Sequence, residues 1–327
     1  GFLMIQAKRI GIYGTGKAAS QIIKALENSP HSLTAAIAFL KEQDGEDIGT
    51  LTGGKPLGIK ATLDLEISIN SKEFDVLLYA GLGGEMLYKT MILCANAGVD
   101  LIHACFAHPK LRLSSELYSQ IQEKALVTGS RIVGTGMLPG FWLDVVPALF
   151  TSALPAPVSV IGESCADITT WGYGVLANEI GVGQPPEPDS VGPIGGILQE
   201  SALMIAEVLG LDAMPERSGG FVISDIATEV IGIPVNVGDH IGFDETASVV
   251  FEGKERIKLG WKGLPANYHG FKSSLTIMVI GGDGSQIKID TTRPTDPYPG
   301  TAARFIHAIH GIQALAGGLH TPVEMSI

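Results

Sequence analysis

The chain has 327 residues, 17% of them charged, with 42 glycines and a formal net charge of -12. That length exceeds one ordinary hydrophobic core and predicts two domains; the acidic balance, with no basic stripe, excludes nucleic acid as a general partner. No apolar run reaches the roughly 18 residues of a spanning helix, and no cleavable signal is read ahead of the first strand. Cys94, Cys105 and Cys165 are too few and too dispersed for a disulfide framework or a metal cluster, so reduced thiols in the cytoplasm and no metal are expected.

In chain order, a short apolar strand from Lys8 to Tyr13 runs into Gly14-Thr15-Gly16-Lys17-Ala18-Ala19. Gly14 suits a tight turn, Gly16 lets backbone approach a diphosphate, and Ala19 lets the following helix pack close to its strand. A dinucleotide is expected over this turn, at the N-terminus of a helix reaching Asn28. Strands at Leu33 to Phe39, Val76 to Ala80, Asp100 to Ala104 and Arg131 to Gly134 alternate with helices at Glu85 to Ala97 and Leu113 to Thr128, the order of a parallel, doubly wound sheet.

Past Pro139 the pattern changes: a helix from about Phe141 to Ser152, a strand at Val158 to Ser164, a Gly/Pro-rich stretch from Gly181 to Gly196, and a helix to Leu209. Segments Phe221 to Val235, His240 to Phe251, Arg256 to Trp261, Leu275 to Ile280 and Ser285 to Asp290 read as consecutive antiparallel strands, with Gly281-Gly-Asp-Gly284 as a hairpin turn. Thr301 to Ala316 returns to a helix, apolar at Phe305, Ile309 and Ile312, expected to pack back on the first domain. The expected fold class is α/β: a dinucleotide-binding domain over 1–137, joined by the C-terminal segment 300–327, and an α+β domain over 138–299 with a mixed, largely antiparallel sheet.

Several residues stand where chemistry is expected. Ala80, Gly81, Leu82 and Gly83 after the fourth strand, and Gly136 at the crossover, would let backbone close on the cofactor. No acidic residue ends the second strand to grip an NAD ribose; Lys41 stands there instead, and with Lys17 it either meets a 2′-phosphate or is ordinary surface charge. NADP is therefore favoured, with NAD kept open by Glu42 and Asp44. His103 and His108 are proton-carrier candidates or histidines bonded to local backbone. Glu163 or Asp167 beside Trp171 and Tyr173 would suit a cationic amine or iminium, against a helix-cap role for Asp167 and an interface role for the aromatics. Tyr173 is carried as a third catalytic candidate, and His307 in the last helix as a packing or pocket residue.

Three separated motifs, Gly14-Thr-Gly-Lys-Ala-Ala19, Val133-Gly-Thr-Gly-Met-Leu-Pro-Gly-Phe-Trp-Leu-Asp-Val-Val146 and Tyr298-Pro-Gly-Thr-Ala-Ala-Arg-Phe-Ile-His-Ala-Ile309, together resemble the dihydrodipicolinate-reductase-like oxidoreductases, nearest the 2,4-diaminopentanoate and native amine dehydrogenase branch. The resemblance implies a Rossmann nucleotide domain, a mixed-sheet substrate domain, a catalytic cleft between them and a homodimer. It also has gaps. The paired histidines, lysine and Ser-Gly-Thr loop of true dihydrodipicolinate reductases are missing, as is the branch's glutamate after the fifth strand, where Leu101-Ile-His-Ala-Cys-Phe-Ala-His-Pro109 stands. Leu138 replaces the usual asparagine, which with Phe141 implies a more apolar substrate pocket. Hydride transfer on a small amine, imine or ketone is the expected activity; a cofactor-binding sensor and a carbonyl or hydroxy-acid reductase are the alternatives.

Overall fold

The computed structural model describes residues 5–292 and 296–326. Residues 1–4, 293–295 and 327, which the expected domain spans include, lie outside the described residues. The chain divides into two compact units, one running to Phe141 and resuming at Pro297, the other Trp142–Asp296. The division thus falls at 141/142 and 296/297, where the sequence suggested 137/138 and 299/300.

The first unit runs β1 (Arg9–Tyr13), α1 (Lys17–Leu26), β2 (Ser32–Ile37), α2 (Ile48–Leu51), β3 (Ala61–Thr62), α3 (Leu65–Asn70), β4 (Val76–Tyr79), α4 (Glu85–Ala97), β5 (Asp100–His103), α5 (Pro109–Arg112), α6 (Ser115–Thr128) and β6 (Arg131–Gly134). The second holds α7 (Val145–Thr151), β7 (Ser159–Asp167), α8 (Gly195–Val208), β8 (Glu216–Ile223), β9 (Thr228–Val230), β10 (Ile233–Val235), β11 (His240–Phe251), β12 (Lys254–Leu264), β13 (Ser274–Ile280) and β14 (Gln286–Thr291). The chain then returns to the first unit with α9 (Tyr298–Gly311) and β15 (Gly318–His320).

Among the described residues the first unit's sheet has the order β15-β6-β5-β4-β1-β2-β3, every neighbouring pair parallel. The chain leaves β1 toward β2 on one side and comes back to β4 on the other, so the strand order reverses between β1 and β4, where open α/β sheets take their ligands. β4 shows why the strands form. Its run Val-Leu-Leu-Tyr is buried throughout; Val76 and Leu78 point into the core shared with α1 and α9, Leu77 and Tyr79 into the core shared with α4 and α6.

Helix α1 presents Ala19, Ile22, Ile23 and Leu26, an i, i+3, i+4, i+7 stripe, to Ala302, Phe305 and Ile309 of α9 and to Ile312 just past its end. Each large apolar side chain so buried contributes about 1.5–3 kcal/mol. The tail is not one helix to Ala316: α9 ends at Gly311, and Arg131 holds the turn that follows, pairing with Asp100 (Nε to Oδ1, 3.1 Å) and donating to the Ile312 and Gln313 carbonyls at 3.3 and 2.9 Å. β15 then extends the sheet beside β6. Three residues are too short to carry a period in sequence.

The second unit's sheet is ordered β14-β13-β7-β12-β11-β8. The expectation of consecutive antiparallel strands fails at its centre: β7 inserts between β13 and β12 and pairs parallel with β12. Phe221 to Val235 is not one strand either; it divides into the end of β8 and a β9–β10 hairpin turning at Ile231 and Gly232. The Gly281–Gly284 hairpin is as the sequence suggested, with Ile280 opposite Gln286. Helices α7 and α8 cover one face of this sheet. Buried Glu245 sets the start of α8, accepting from the Ile194 and Gly195 amides (2.8 and 3.1 Å) and from Arg217 (3.1 Å). No described helix is long and apolar enough to cross a membrane.

Candidate functional site

The glycine turn sits at the strand reversal. Gly14 takes φ +108°, a backbone that side chains rarely adopt, and a Cβ there would lie 2.8 Å from the Ala80 carbonyl oxygen at the end of β4. Its amide donates to Ile37 O at 2.9 Å, so the turn is tied to β2 and pressed on β4 together. Gly16 opens α1 with no side-chain cap and with nothing within 4 Å of where a Cβ would stand. A helix N-terminus with open space before it is a donor set that fits an anionic diphosphate. Thr15 donates its hydroxyl to Gln43 Oε1 at 3.2 Å, which draws the exposed Lys41–Gln43 turn to the same place. Sequence reading passed over Gln43, which lacks any motif signal.

Beneath this turn, Tyr13 and Tyr79 stack with centroids 4.6 Å apart and planes 12° from parallel. They are register partners on β1 and β4 and both are buried. Gly81 lies on their edges, where a Cβ would fall 2.7 Å from the Tyr13 ring. The loop Ala80–Gly84 is held from below: the Tyr79 hydroxyl donates to Leu82 O at 2.8 Å, and the Cys105 thiol to Gly81 O at 3.6 Å. Burial pushes both groups up in pKa, Cys105 to about 11, so each stays a donor at neutral pH. Leu82 is 87% exposed, an apolar side chain held out in solvent. Nothing in the sequence separates Tyr13 and Tyr79 from ordinary core aromatics at the ends of buried strands.

Lys17 is placed on α1 with its Nζ 4.5 Å from the Tyr298 ring centroid, bringing the starts of α1 and α9 together. Arg304 of α9 lies over Phe141, guanidinium carbon 5.2 Å from the ring centre, and Gly300 packs where a Cβ would meet the Met137 sulfur at 2.7 Å. Gly136, Leu138 and Phe141 thus belong to a compact exit from β6, closed by Gly140 at φ +121° and held against α9. Tyr298 and Arg304 both fall in the Tyr298–Ile309 motif, which marks the segment without assigning either side chain a role.

The histidines are placed differently from a solvent-reaching acid. His103, 1% exposed, accepts from the Cys105 amide at Nδ1 (3.2 Å) and packs edge-on to Phe106; burial pushes its pKa down to about 3, leaving the ring neutral. A Cβ on Gly134 would lie 2.7 Å from that ring, so the imidazole fills the space the glycine leaves. His108 is equally buried, at the start of α5. His307 meets Ser326 O through Nε2 at 3.0 Å, with its pKa lowered first by burial.

In the second unit the expected pairing of a carboxylate with the aromatic platform does not form around Glu163. Trp171 packs with Phe243 and Trp261, centroids 5.9 and 5.7 Å away, on the face that α7 and α8 cover. Glu163 stands on the opposite face, where the strand's alternation sends it with Ile161 and Cys165, and it accepts from the Cys165 thiol at 3.4 Å. Asp167 caps the turn after β7, accepting from the Thr169 amide and hydroxyl (2.9 and 2.6 Å) and from the Ala266 amide at 3.1 Å. Tyr173 is 60% exposed in the first turn of the helical segment that follows Gly172 (φ +90°) and runs to Ile180. Among the described residues no group of three His, Cys, Asp or Glu side chains is placed to hold a metal ion.

No protein-family model and no curated protein sequence matches the chain. Its fold is similar to that of an amine dehydrogenase from Mycobacterium smegmatis, with TM-score 0.76 and 20% identity over 98% of this chain and 96% of that one. It is similar also to a dipicolinate-bound dihydrodipicolinate reductase from Paenisporosarcina sp. TG-14 (17% identity, 98% and 99% covered, TM-score 0.51). A myo-inositol dehydrogenase from Lactobacillus casei, in complex with NAD(H) and myo-inositol, shares the fold at 11% identity, 98% and 90% covered, TM-score 0.59. The two-sheet fold is common to all three, and the fold implied by the resemblance read from the sequence motifs agrees with it.

Proposed function

We propose that this chain is a nicotinamide-nucleotide-dependent oxidoreductase acting on a small amine, imine or ketone, with carbon–nitrogen substrates favoured. The observation that carries the proposal is the Gly14–Gly16 turn, pressed on Ala80 where the strand order reverses and opening into an uncapped helix. Gly14, Thr15, Gly16 and the first amides of α1 would hold the diphosphate, while Lys17 and Lys41 supply positive charge that favours NADP over NAD. Ala80, Gly81, Leu82, Gly83 and Gly136 would line the rest of the cofactor by close backbone approach. When bound, the cofactor supplies the hydride acceptor or donor.

The chain's own part is to bind, orient and exclude water. Leu138 and Phe141 of the first unit are proposed to meet the substrate, an apolar pair suited to a modest hydrophobic amine. Support for carbon–nitrogen chemistry comes from the sequence motifs and from the likeness to the mycobacterial amine dehydrogenase. A homodimer is proposed on the motifs alone. One observation favours a second reading, a cofactor-binding sensor: His103 and His108 are each 1% exposed, so neither stands open as a proton carrier. Cofactor consumption with a panel of amines, cyclic imines, ketones and aldehydes separates the two. Turnover of an amine or imine is expected; tight cofactor binding without turnover across the panel would replace the enzyme reading with the sensor.

A further inference from the structure

We propose that Tyr79 is a positioning residue for the nucleotide: its hydroxyl, helped by the Cys105 thiol, turns the loop after β4 so that the Leu82 and Gly83 amides face away from the sheet as a donor pair for cofactor oxygens. The inference rests on the cofactor site proposed above and goes beyond it, because neither side chain belongs to the glycine turn.

The loop Ala80–Gly84 is rich in glycine, and such a backbone has many conformations to lose. Two side chains, Tyr79 at the end of β4 and Cys105 two residues past β5, fix two successive carbonyls. The Gly81 carbonyl accepts from Cys105 and the Leu82 carbonyl from Tyr79. The peptides here are trans, and a trans peptide holds its C=O and N–H on opposite sides. A carbonyl drawn down toward the sheet therefore sends the next residue's N–H up, so the amides of Leu82 and Gly83 both point away from the two donors. Among the described residues neither amide donates a hydrogen bond. Successive outward amides form a small concavity for an anionic or carbonyl oxygen, and this one stands beside Gly14, whose turn touches Ala80.

Tyr79 is built to hold this geometry. Its ring is 1% exposed and locked by the stack on Tyr13, so the hydroxyl has one place to go. Gly81 fits only because it lacks a Cβ, which would strike both tyrosines.

Tyr79→Phe keeps the ring and the stack and removes the hydroxyl. NADPH and NADH titrations by nicotinamide fluorescence, run on the intact protein beside thermal unfolding and amide exchange of residues 81–84, read the effect. The expected result is a dissociation constant raised about five-fold, the loss of one neutral hydrogen bond, with faster exchange at Leu82 and Gly83 and little change in melting. Wild-type binding matched within about two-fold by the variant would overturn the inference and leave the cofactor site standing; no binding by wild type would remove that site itself. Should Tyr79→Phe fail to fold, Leu82→Pro deletes one outward amide on an exposed loop. Binding at least about five-fold weaker is then expected, and unchanged binding would overturn the inference.

Discussion

His103 ends β5 with its imidazole sealed, and burial holds its pKa near 3 against an ordinary value of about 6.5. The unfolded chain takes up a proton below about pH 6.5 that the folded chain refuses until about pH 3, so stability is full above that range and falls as pH drops through it, by up to about 1.4 kcal/mol per pH unit. Denaturant unfolding of His103→Asn should show a shallower loss between about pH 6.5 and 4 than wild type; equal slopes would contradict the assignment. Lys17 is the residue on which cofactor choice is expected to turn. Lys17→Ala should weaken NADPH about ten-fold while leaving NADH nearly unchanged, since only the former has a 2′-phosphate to lose a charge-assisted contact; equal loss of both would reduce Lys17 to a packing role against Tyr298. The glycines of this site were legible because close approach leaves few residue types to choose from. The tyrosines, Cys105 and Gln43 were not, because an ordinary core aromatic and a loop-pinning one look alike until the loop is seen.

At the scale of elements, the seam between α1 and α9 holds the glycine turn's helix against the tail of the chain. Phe305 is 1% exposed there, and Phe305→Ala should cost about 3–5 kcal/mol of unfolding free energy in the unit that contains it. Denaturant titration checks it, and a loss under about 1 kcal/mol would mean that the seam is loosely packed. The tail helix was readable from its apolar period at Phe305, Ile309 and Ile312, α1 from the glycine turn that opens it, and β1, β4, β5 and β6 from short apolar runs bounded by Gly or Asp. The parallel β7–β12 pair was not readable, because local pattern specifies that a strand forms and not which distant strand it joins. The same limit misplaced Glu163: alternation along β7 puts it on the face opposite Trp171, and that assignment needs the strand's true extent, Ser159–Asp167.

For the whole molecule, fold and function separate. A two-domain fold with a Rossmann-type sheet carries many substrates, so the proposed amine preference stands or falls on turnover. Recognition of a dinucleotide has a sharper physical demand. The protein carries a net charge of -12 and its proposed ligand is itself an anion, so attraction must be local: the N-terminal end of α1, worth about half an elementary charge. Gly14 is the hinge of that arrangement, since any side chain there strikes Ala80 from a backbone angle of +108°. Titration of wild type and Gly14→Ala with NADPH and NADH, followed by nicotinamide fluorescence, tests this most directly. Saturable binding of at least one nucleotide by wild type is expected, weakened roughly ten-fold or more in the variant; a wild-type protein indifferent to both nucleotides, or a variant that binds as well as its parent, would contradict it.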